Sequence, residues 1–218
     1  MRILVIDIGG NNVKIKATDQ SEVRRFPSGS TLTAQQMVDG VLEIAKDWPF
    51  DAISIGYPGP VHDGKIAKEP VNLGQGWVGF DFAEAFGKPV KLINDAAMQA
   101  LGSYEGGRML FLGLGTGLGN TLIIEGTIAP MELGHLPYKK KRTFEEYVGD
   151  AGRKRLGRKK WQRAVSDVVL RLKEALNAEY VVLGGGNARK LTHLPEGCRL
   201  GNNENAFIGG YRLWADQK

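Results

Sequence analysis

Short apolar runs separated by glycine turns recur along the chain, and they predict alternating strands and helices. Residues 2–8 form an apolar, β-branched run that ends at two consecutive glycines, which is typical of a buried strand followed by a tight turn. Residues 13–18 alternate apolar and polar side chains, as expected for a half-exposed returning strand. Further strands are predicted over residues 22–26, 51–57, 89–93, 108–113, 121–125 and 180–183.

Apolar residues at helical spacing indicate the helices. The clearest stripe runs from Trp161 to Leu176, with successive spacings of 4, 3, 1, 3 and 4 residues. Other helices are predicted over residues 33–47, 81–86, 96–104 and 202–214.

The opening pattern occurs twice. Residues 4–10 and residues 110–116 each combine a strand, a glycine turn and the start of a second strand, about 106 residues apart. We therefore predict an α/β protein with a duplicated fold, whose two lobes enclose a central cleft. The first lobe is expected to span residues 1–94, with a C-terminal helix at about 202–218 packing back on it, and the second to span 95–201.

Composition excludes several classes of protein. The chain has 218 residues and a single cysteine, Cys198, so neither an internal disulfide framework nor a cysteine-rich zinc site is expected. No apolar run reaches the ~18–20 residues that a membrane-spanning helix needs, and the first ten residues do not resemble a signal peptide. We expect a cytoplasmic protein that does not bind membranes.

Positive charge is concentrated in one segment. Residues 139–163 contain eleven basic and three acidic side chains, a net charge of +8, whereas the whole chain carries only +5. Such a segment attracts polyanions, for example nucleic acid or a phosphate chain. The alternative is a solvated surface with no ligand.

Glycine is unusually frequent, with 30 residues, about twice the ~7% of average proteins. Clustered glycines at strand ends, as in residues 9–10, 115–119 and 184–186, let the backbone approach a phosphate group closely. A strand follows residues 115–119, so the dinucleotide-binding pattern, which requires a helix, is disfavoured. Asp7 at the first turn is a candidate Mg²⁺ ligand, and Lys14 is either a phosphate contact or an exposed strand lysine.

Two further groups of polar residues are candidates for acid–base and substrate-binding roles. Asn94 and Asp95 follow a strand and precede a helix, where Asp95 is either a general base or the helix N-cap. Glu132 and His135 flank a glycine, which suits a polyhydroxylated substrate better than zinc because no cysteine lies near. A structural role for His135 is the alternative.

At this point the sequence resembles a known family, the ROK sugar kinases. The motifs that carry the resemblance occur in the family's order: Asp7-Ile8-Gly9-Gly10, Tyr57-Pro58-Gly59-Pro60-Val61, Asn72-Leu73 with Trp77, Asn94-Asp95-Ala96, Gly115-Thr116-Gly117-Leu118-Gly119, Glu132-Leu133-Gly134-His135 and Leu183-Gly184-Gly185-Gly186. They extend over essentially the whole chain. The resemblance implies an actin/hexokinase-like (ribonuclease H-like) fold.

The resemblance also implies a role for each motif. Asp95 is expected to be the catalytic base, and Asn94, Glu132, His135 and Glu145 are expected to bind the sugar. The residues expected to bind the phosphoryl donor are Asp7, Gly9, Gly10, Asn11, Asn12, Lys14, Gly115, Thr116, Gly117, Gly184 and Gly185. Mg²⁺ is expected at Asp7.

Departures from the common family pattern refine these expectations. No cysteine follows the Glu132–His135 motif, as in the zinc-free polyphosphate glucokinase branch, so no zinc is expected. Asn11-Asn12 replaces the more usual small residues of the first loop. We expect a kinase that transfers a phosphoryl group from polyphosphate, ATP or both to the 6-hydroxyl of glucose, and that forms a homodimer.

Two alternatives remain open. One is an ATP-only ROK kinase for another hexose or an amino sugar. The other is a non-catalytic sugar sensor or nucleic-acid binder that uses the basic segment.

Overall fold

A computed structural model describes residues 1–202 and 204–215 of the chain. The chain divides into two compact units: Met1–Met98 together with the chain from Ala206 onward form the first, and Gln99–Asn205 form the second. Part of the predicted closing segment, residues 203 and 216–218, lies outside the described residues. No helix in the described ranges is long and apolar enough to cross a membrane.

The first unit is built on a five-stranded sheet. Its elements are β1 (Ile3–Ile8), β2 (Asn12–Ala17), β3 (Arg24–Pro27), α1 (Ala34–Ile44), β4 (Ala52–Tyr57), the short hairpin β5 (Val61–His62) and β6 (Lys65–Ile66), α2 (Phe82–Phe86), β7 (Val90–Asn94), α3 (Asp95–Ser103, which continues into the second unit) and, after the second unit, α6 (Asn205–Arg212). The strand order is β3-β2-β1-β4-β7.

The second unit contains a five-stranded sheet of its own. Its remaining elements are β8 (Arg108–Leu114), β9 (Leu118–Ile124), β10 (Thr127–Met131), a 3-10 turn (Leu133–His135), α4 (Phe144–Val148), α5 (Asp150–Ala175), β11 (Tyr180–Gly184), a second 3-10 turn (Ala188–Lys190) and β12 (Cys198–Leu200). The strand order is β10-β9-β8-β11-β12.

The two sheets have the same topology. In each, a central strand (β1 or β8) pairs antiparallel with the next strand along the chain and parallel with a later one. The outer strands also pair in the same way in the two sheets: β2–β3 and β9–β10 are antiparallel, and β4–β7 and β11–β12 are parallel. The predicted duplicated α/β fold is therefore confirmed, and the repeated sequence pattern marks the central hairpin of each sheet.

Each unit has a core that follows from its hydrophobic pattern. All six residues of β1 and of β4 are buried, as expected for central strands covered on both faces. In the second unit, the predicted helical stripe packs on the sheet through Trp161, Val165 and Val168.

The structure also contains elements that the pattern does not predict. Helix α5 begins at Asp150, eleven residues before the apolar stripe starts at Trp161. Residues 150–160 are mostly basic and have no apolar stripe, so their sequence pattern does not predict a helix. The edge strand β10 contains Pro130, which disfavours a strand prediction although edge strands tolerate it. The helix α4 and the strand β12 are likewise too short to give a clear periodicity.

Candidate active site

The first glycine turn joins β1 to β2 and brings Asp7 and Lys14 together. The two residues face each other in the antiparallel pairing, and Lys14 Nζ lies 3.3 Å from Asp7 Oδ2. Asp7 is buried, whereas the Lys14 side chain is half exposed. Lys14 thus acts as the counter-ion of a buried carboxylate at the end of the turn, and is not merely an exposed strand lysine.

The turn itself is tight and open to solvent on one side. The Gly9 N–H donates to the Asn12 carbonyl oxygen at 3.0 Å, and the Ser28 N–H donates to the Asn11 carbonyl oxygen at 3.1 Å. A Cβ at Gly10 would have no neighbour within 4 Å, so the space beside this residue is available to a ligand.

The residues around Asp7 fit a magnesium ion that arrives with a phosphate donor. Mg²⁺ is usually held by one or two carboxylates, with water and substrate phosphates completing its shell. Asp7 supplies one buried carboxylate at this turn, and within the described part of the chain no group of three or more His, Cys, Asp and Glu side chains is placed to hold a metal ion. One buried carboxylate is compatible with this mode of Mg²⁺ binding.

Asn94 and Asp95 lie where β7 ends and α3 begins. The Asn94 Oδ1 accepts a hydrogen bond from the Ala97 N–H at 3.1 Å, and its Nδ2 donates to the Gly59 carbonyl oxygen at 3.0 Å. Asn94 therefore caps α3 and fixes the loop after β4. The Asp95 Oδ1 accepts a hydrogen bond from the Ala96 N–H at 2.8 Å. The contact with the N–H three residues ahead, which defines a helix N-cap, is made by Asn94.

Asp95 and Asp7 are presented at the same edge of the first unit's sheet. Strands β1, β4 and β7 run parallel, and Asp7, Gly56 and Ile93 occupy one row across them. With strands ~4.8 Å apart, Asp7 and Ile93 are separated by roughly 10 Å, and Asp95 follows two residues later. Gly56 has no side chain, which makes room for Met98 of α3.

In the second unit, Glu132, His135 and Glu145 form one cluster. The His135 Nε2 lies 4.0 Å from Glu132 Oε2 and 3.7 Å from Glu145 Oε1. These separations exceed hydrogen-bonding distance, so His135 forms no hydrogen bond with either glutamate. The side chain of His135 is 65% exposed, which argues against a buried structural histidine.

Local structure determines which glutamate of α4 joins the cluster. Glu146 completes a capping box with Thr143: its Oε2 accepts from the Thr143 N–H at 2.8 Å, and this bond lowers the pKa of Glu146. Glu145 takes no part in the capping box, and its side chain lies against the second glycine loop. A Cβ at Gly117 would be 2.6 Å from Glu145 Oε2, so only glycine fits there without displacing the carboxylate.

A buried asparagine that the sequence analysis missed holds the Glu132–His135 motif in place. Asn120 is 2% exposed; its Nδ2 donates to the Leu118 carbonyl oxygen at 2.8 Å and its Oδ1 accepts from the Leu133 N–H at 3.1 Å. A polar residue inside the apolar strand β9 is the signal that could have found it.

The second and third glycine loops meet around Gly115. Its carbonyl oxygen accepts from the Asp150 N–H at 3.1 Å and from Asn187 Nδ2 at 3.0 Å. The Asn187 N–H also donates to the Leu114 carbonyl oxygen at 2.9 Å, and a Cβ at Gly185 would collide with the Leu114 backbone. The loops of Gly115, Thr116, Gly117 and of Gly184, Gly185 are therefore neighbours.

The basic segment is not one uniform surface. Arg153 and Lys154 form ion pairs with Asp150, at 2.9 and 2.7 Å. Lys139, in contrast, forms an ion pair with Asp167 at 3.2 Å. These cations belong to separate local networks along α5.

Comparison with known proteins shows the family to which the chain belongs. The model of the ROK family matches residues 3–155, most of the chain. The chain belongs to the ROK family. A similar protein is the polyphosphate glucokinase of Mycobacterium tuberculosis (strain CDC 1551 / Oshkosh), 26% identical over 206 residues, which cover 85% of this chain and 77% of that protein.

Solved structures of other proteins show the same fold. The inorganic polyphosphate/ATP-glucomannokinase from Arthrobacter sp. strain KM superposes with a TM-score of 0.80 at 23% identity, covering 95% of this chain and 96% of its own. A ROK family glucokinase from Streptomyces griseus, in complex with glucose and AMPPNP, gives a TM-score of 0.78 at 15% identity, covering 98% and 99%. The expected actin/hexokinase-like fold is confirmed by these likenesses.

Proposed function

We propose that this ROK protein is a glucokinase that transfers a phosphoryl group from polyphosphate, ATP or both to the 6-hydroxyl of glucose. The observation that carries the proposal is the position of Asp95, at the same sheet edge as Asp7 and the first glycine turn. The similarity to a polyphosphate glucokinase over 85% of the chain supports the donor and the sugar.

Asp95 acts as the general base. It accepts the proton of the sugar 6-hydroxyl while that oxygen forms a bond to the terminal phosphorus and the bond from phosphorus to the bridging oxygen breaks. Asn94 keeps Asp95 in place through its hydrogen bonds to Ala97 and Gly59. Glu132, His135 and Glu145 bind sugar hydroxyl groups, because carboxylate and imidazole groups supply both acceptors and donors.

The backbone N–H groups of the glycine loops bind the donor's phosphates, and Lys14 contributes positive charge beside the first loop. Mg²⁺ held at Asp7 would neutralise charge on the transferred group. The first and second units correspond in this proposal to the two kinase lobes. Zinc is not part of the proposal, and cytoplasmic location and a homodimeric state stay predictions.

The first experiment measures glucose 6-phosphate after incubation of the protein with Mg²⁺, glucose and either long-chain polyphosphate or ATP. Product from either donor is the expected result. Product only from ATP with another hexose would favour the first alternative, and nucleic-acid binding without any phosphoryl transfer would favour the sensor.

Asp95→Asn tests the base. Because the amide keeps the shape but cannot accept the proton, turnover should fall by about 10²–10⁴-fold while glucose binding, measured by calorimetry, is largely retained. Asp19→Asn is the matched control, since Asp19 lies in an exposed turn with φ 67°, a conformation that asparagine tolerates. Turnover of Asp95→Asn near that of the control would rule out this role.

A further inference from the structure

A cavity of about 500 Å³ in the second unit is lined mainly by cations. We call it the Gly157 cavity; its lining residues are Arg153, Lys154, Gly157, Arg158, Trp161 and Lys190. Four of these six residues are basic, and one of the four, Lys190, lies outside the basic segment of the sequence.

The cavity lies where α5 is interrupted at Gly157. This residue has φ 70° and ψ 165°, which is not helical, and a Cβ there would meet nothing within 4 Å. Only glycine adopts such a conformation without strain. On the C-terminal side of the interruption, Trp161 is fully buried, and its Nε1 donates to the Val148 carbonyl oxygen at 2.8 Å.

Both walls of the cavity are connected to Gly115 of the second glycine loop. On the α5 side, Asp150 donates its N–H to the Gly115 carbonyl oxygen and accepts from Arg153 Nη2 at 2.9 Å. On the other side, Asn187 donates from Nδ2 to the same oxygen and accepts from Lys190 Nζ at 2.7 Å. One residue on each side thus links the cations to the loop.

The cations of the cavity are only partly neutralised. Arg153 and Lys154 share the single carboxylate of Asp150, whose pKa they lower to about 2, and Lys190 is bonded to a neutral amide. Arg158 forms no ion pair within the part of the chain that the structure describes. The lining therefore has a net positive charge that suits several phosphate groups.

The same lining offers little to a nucleobase. None of its side chains carries a hydrogen-bond acceptor, and the one ring nitrogen, that of Trp161, is already bonded to Val148. Recognition here depends on charge and not on a base edge.

We propose that the Gly157 cavity holds the phosphates of a polyphosphate chain that follow the transferred one, with the chain running from the Gly115 loop between α5 and Lys190. This proposal rests on the proposed function and adds its donor subsite. Lysines 139–141, by contrast, do not line this cavity.

A second cavity beside α5 is a weaker candidate. It measures about 250 Å³ and is lined by Tyr138, Lys139, Tyr147, Leu156, Lys160, Arg163 and Ala164. Lys139 is held there by Asp167, whose pKa is lowered to about 2, chiefly by the hydrogen bond from the Tyr138 hydroxyl. The ionised Asp167 beside this cavity reduces its attraction for a polyanion.

The test compares two pairs of substitutions that remove the same charge. Lys154→Gln with Arg158→Gln removes two cations from the Gly157 cavity, and Lys140→Gln with Lys159→Gln removes two exposed cations outside both cavities. Binding of long-chain polyphosphate is measured without glucose by calorimetry, over a range of salt concentrations, and thermal melting checks that all variants fold.

We expect the cavity pair to weaken polyphosphate binding by about tenfold or more, because charge-assisted hydrogen bonds are lost. The dependence of log Kd on log salt should become shallower by about 1–2, as for loss of two phosphate contacts. The control pair should change Kd much less. A further variant, Arg158→Gln alone, avoids disturbing the Asp150 ion pairs and should show part of the effect.

Equal weakening by both pairs, or no weakening by the cavity pair, would overturn the proposal. So would an equal loss of ATP binding, since the cavity would then be a nucleotide site. If the wild-type protein forms no glucose 6-phosphate but the cavity pair selectively loses polyphosphate binding, the subsite stands and the proposed function fails.

Discussion

Asn94 and Asp95 are adjacent in sequence and have different hydrogen-bonding commitments. The sequence predicts both as polar residues at the end of a strand and offers Asp95 as either a general base or the helix N-cap. In the structure, the Asn94 side chain hydrogen-bonds to Ala97 and Gly59, whereas the Asp95 Oδ1 accepts a hydrogen bond from the adjacent Ala96 N–H. A cap is decided by side-chain rotamers, which residue type alone does not fix.

Other residues of the candidate site are recognisable only from tertiary contacts. Lys190 follows the third glycine run as an ordinary lysine, and its place in a cavity depends on the bond to Asn187. Glycines and acidic residues in motifs are predictable because few other residues satisfy their backbone or chemical requirement. A single lysine satisfies no such exclusive requirement.

Asn120→Leu should destabilise the second unit by about 1–3 kcal/mol, because the Leu133 N–H loses its partner in a buried place. The Glu132–His135 motif should shift as a result, so glucose affinity should fall more than donor affinity. Chemical denaturation and calorimetric titration measure the two effects.

The control for Asn120 is its neighbour Thr121→Val. Thr121 is fully buried, and its Oγ1 has no hydrogen-bond partner among the described residues, so replacing the hydroxyl with a methyl group should cost little. If Asn120→Leu proves as mild as Thr121→Val, the anchoring role of Asn120 is wrong.

At the scale of elements, hydrophobic periodicity predicts those with one buried face. The strand β2 and the C-terminal half of α5 are of this kind, whereas β1 and β4 are buried on both faces and are predicted as continuous apolar runs. The N-terminal half of α5 is largely solvated, so nothing in its pattern marks it as helix. It is fixed instead by the Asp150 N–H, which bonds the glycine loop, and by the ion pairs of that residue.

Gly157→Ala tests the interruption of α5. Alanine at φ 70° and ψ 165° is strained by about 1–3 kcal/mol, so either the protein loses stability or α5 straightens through the cavity. Polyphosphate binding should weaken because a strained or straightened backbone at this position changes the geometry of the cavity lining. The measurements are thermal melting and calorimetric binding.

Gly126→Ala is the matched control for Gly157. Gly126 also has a positive φ, 82°, with nothing within 4 Å of a Cβ, but it lies in the turn between β9 and β10. The Gly126→Ala substitution should lower the melting temperature and leave polyphosphate affinity unchanged. Unchanged affinity in Gly157→Ala as well would separate the helix interruption from donor binding.

At the scale of the whole molecule, the duplication is predictable from the sequence. The packing of the C-terminal helix α6 on the first unit is only partly predictable. Residues 4–10 and 110–116 repeat a pattern, and the two sheets accordingly share one strand order. That α6 packs beneath β1 depends on particular contacts. Ala206 and Phe207 cover Ile3 and Val5, and the Ser54 hydroxyl donates to the Gly210 carbonyl oxygen at 2.6 Å.

Phe207→Ala should destabilise the first unit by about 3–5 kcal/mol, since it removes a buried aromatic ring that packs against β1. Hydrogen exchange should show faster exchange in β1 and β4, with β8 and β11 little changed because they belong to a separate core. Ile208→Ala, at a 38% exposed neighbour on the same helix, is the control. Equal acceleration in both sheets would show that the two cores do not act independently.

The return of the chain into the first unit also affects folding during synthesis. Residues 1–98 leave the ribosome with Ile3 and Val5 still uncovered, and the helix that covers them is translated only after all of the second unit. The second unit is one continuous segment and can complete its core as soon as it emerges. We therefore expect the second unit to complete its core before the first, the reverse of the usual order in which the N-terminal domain matures first.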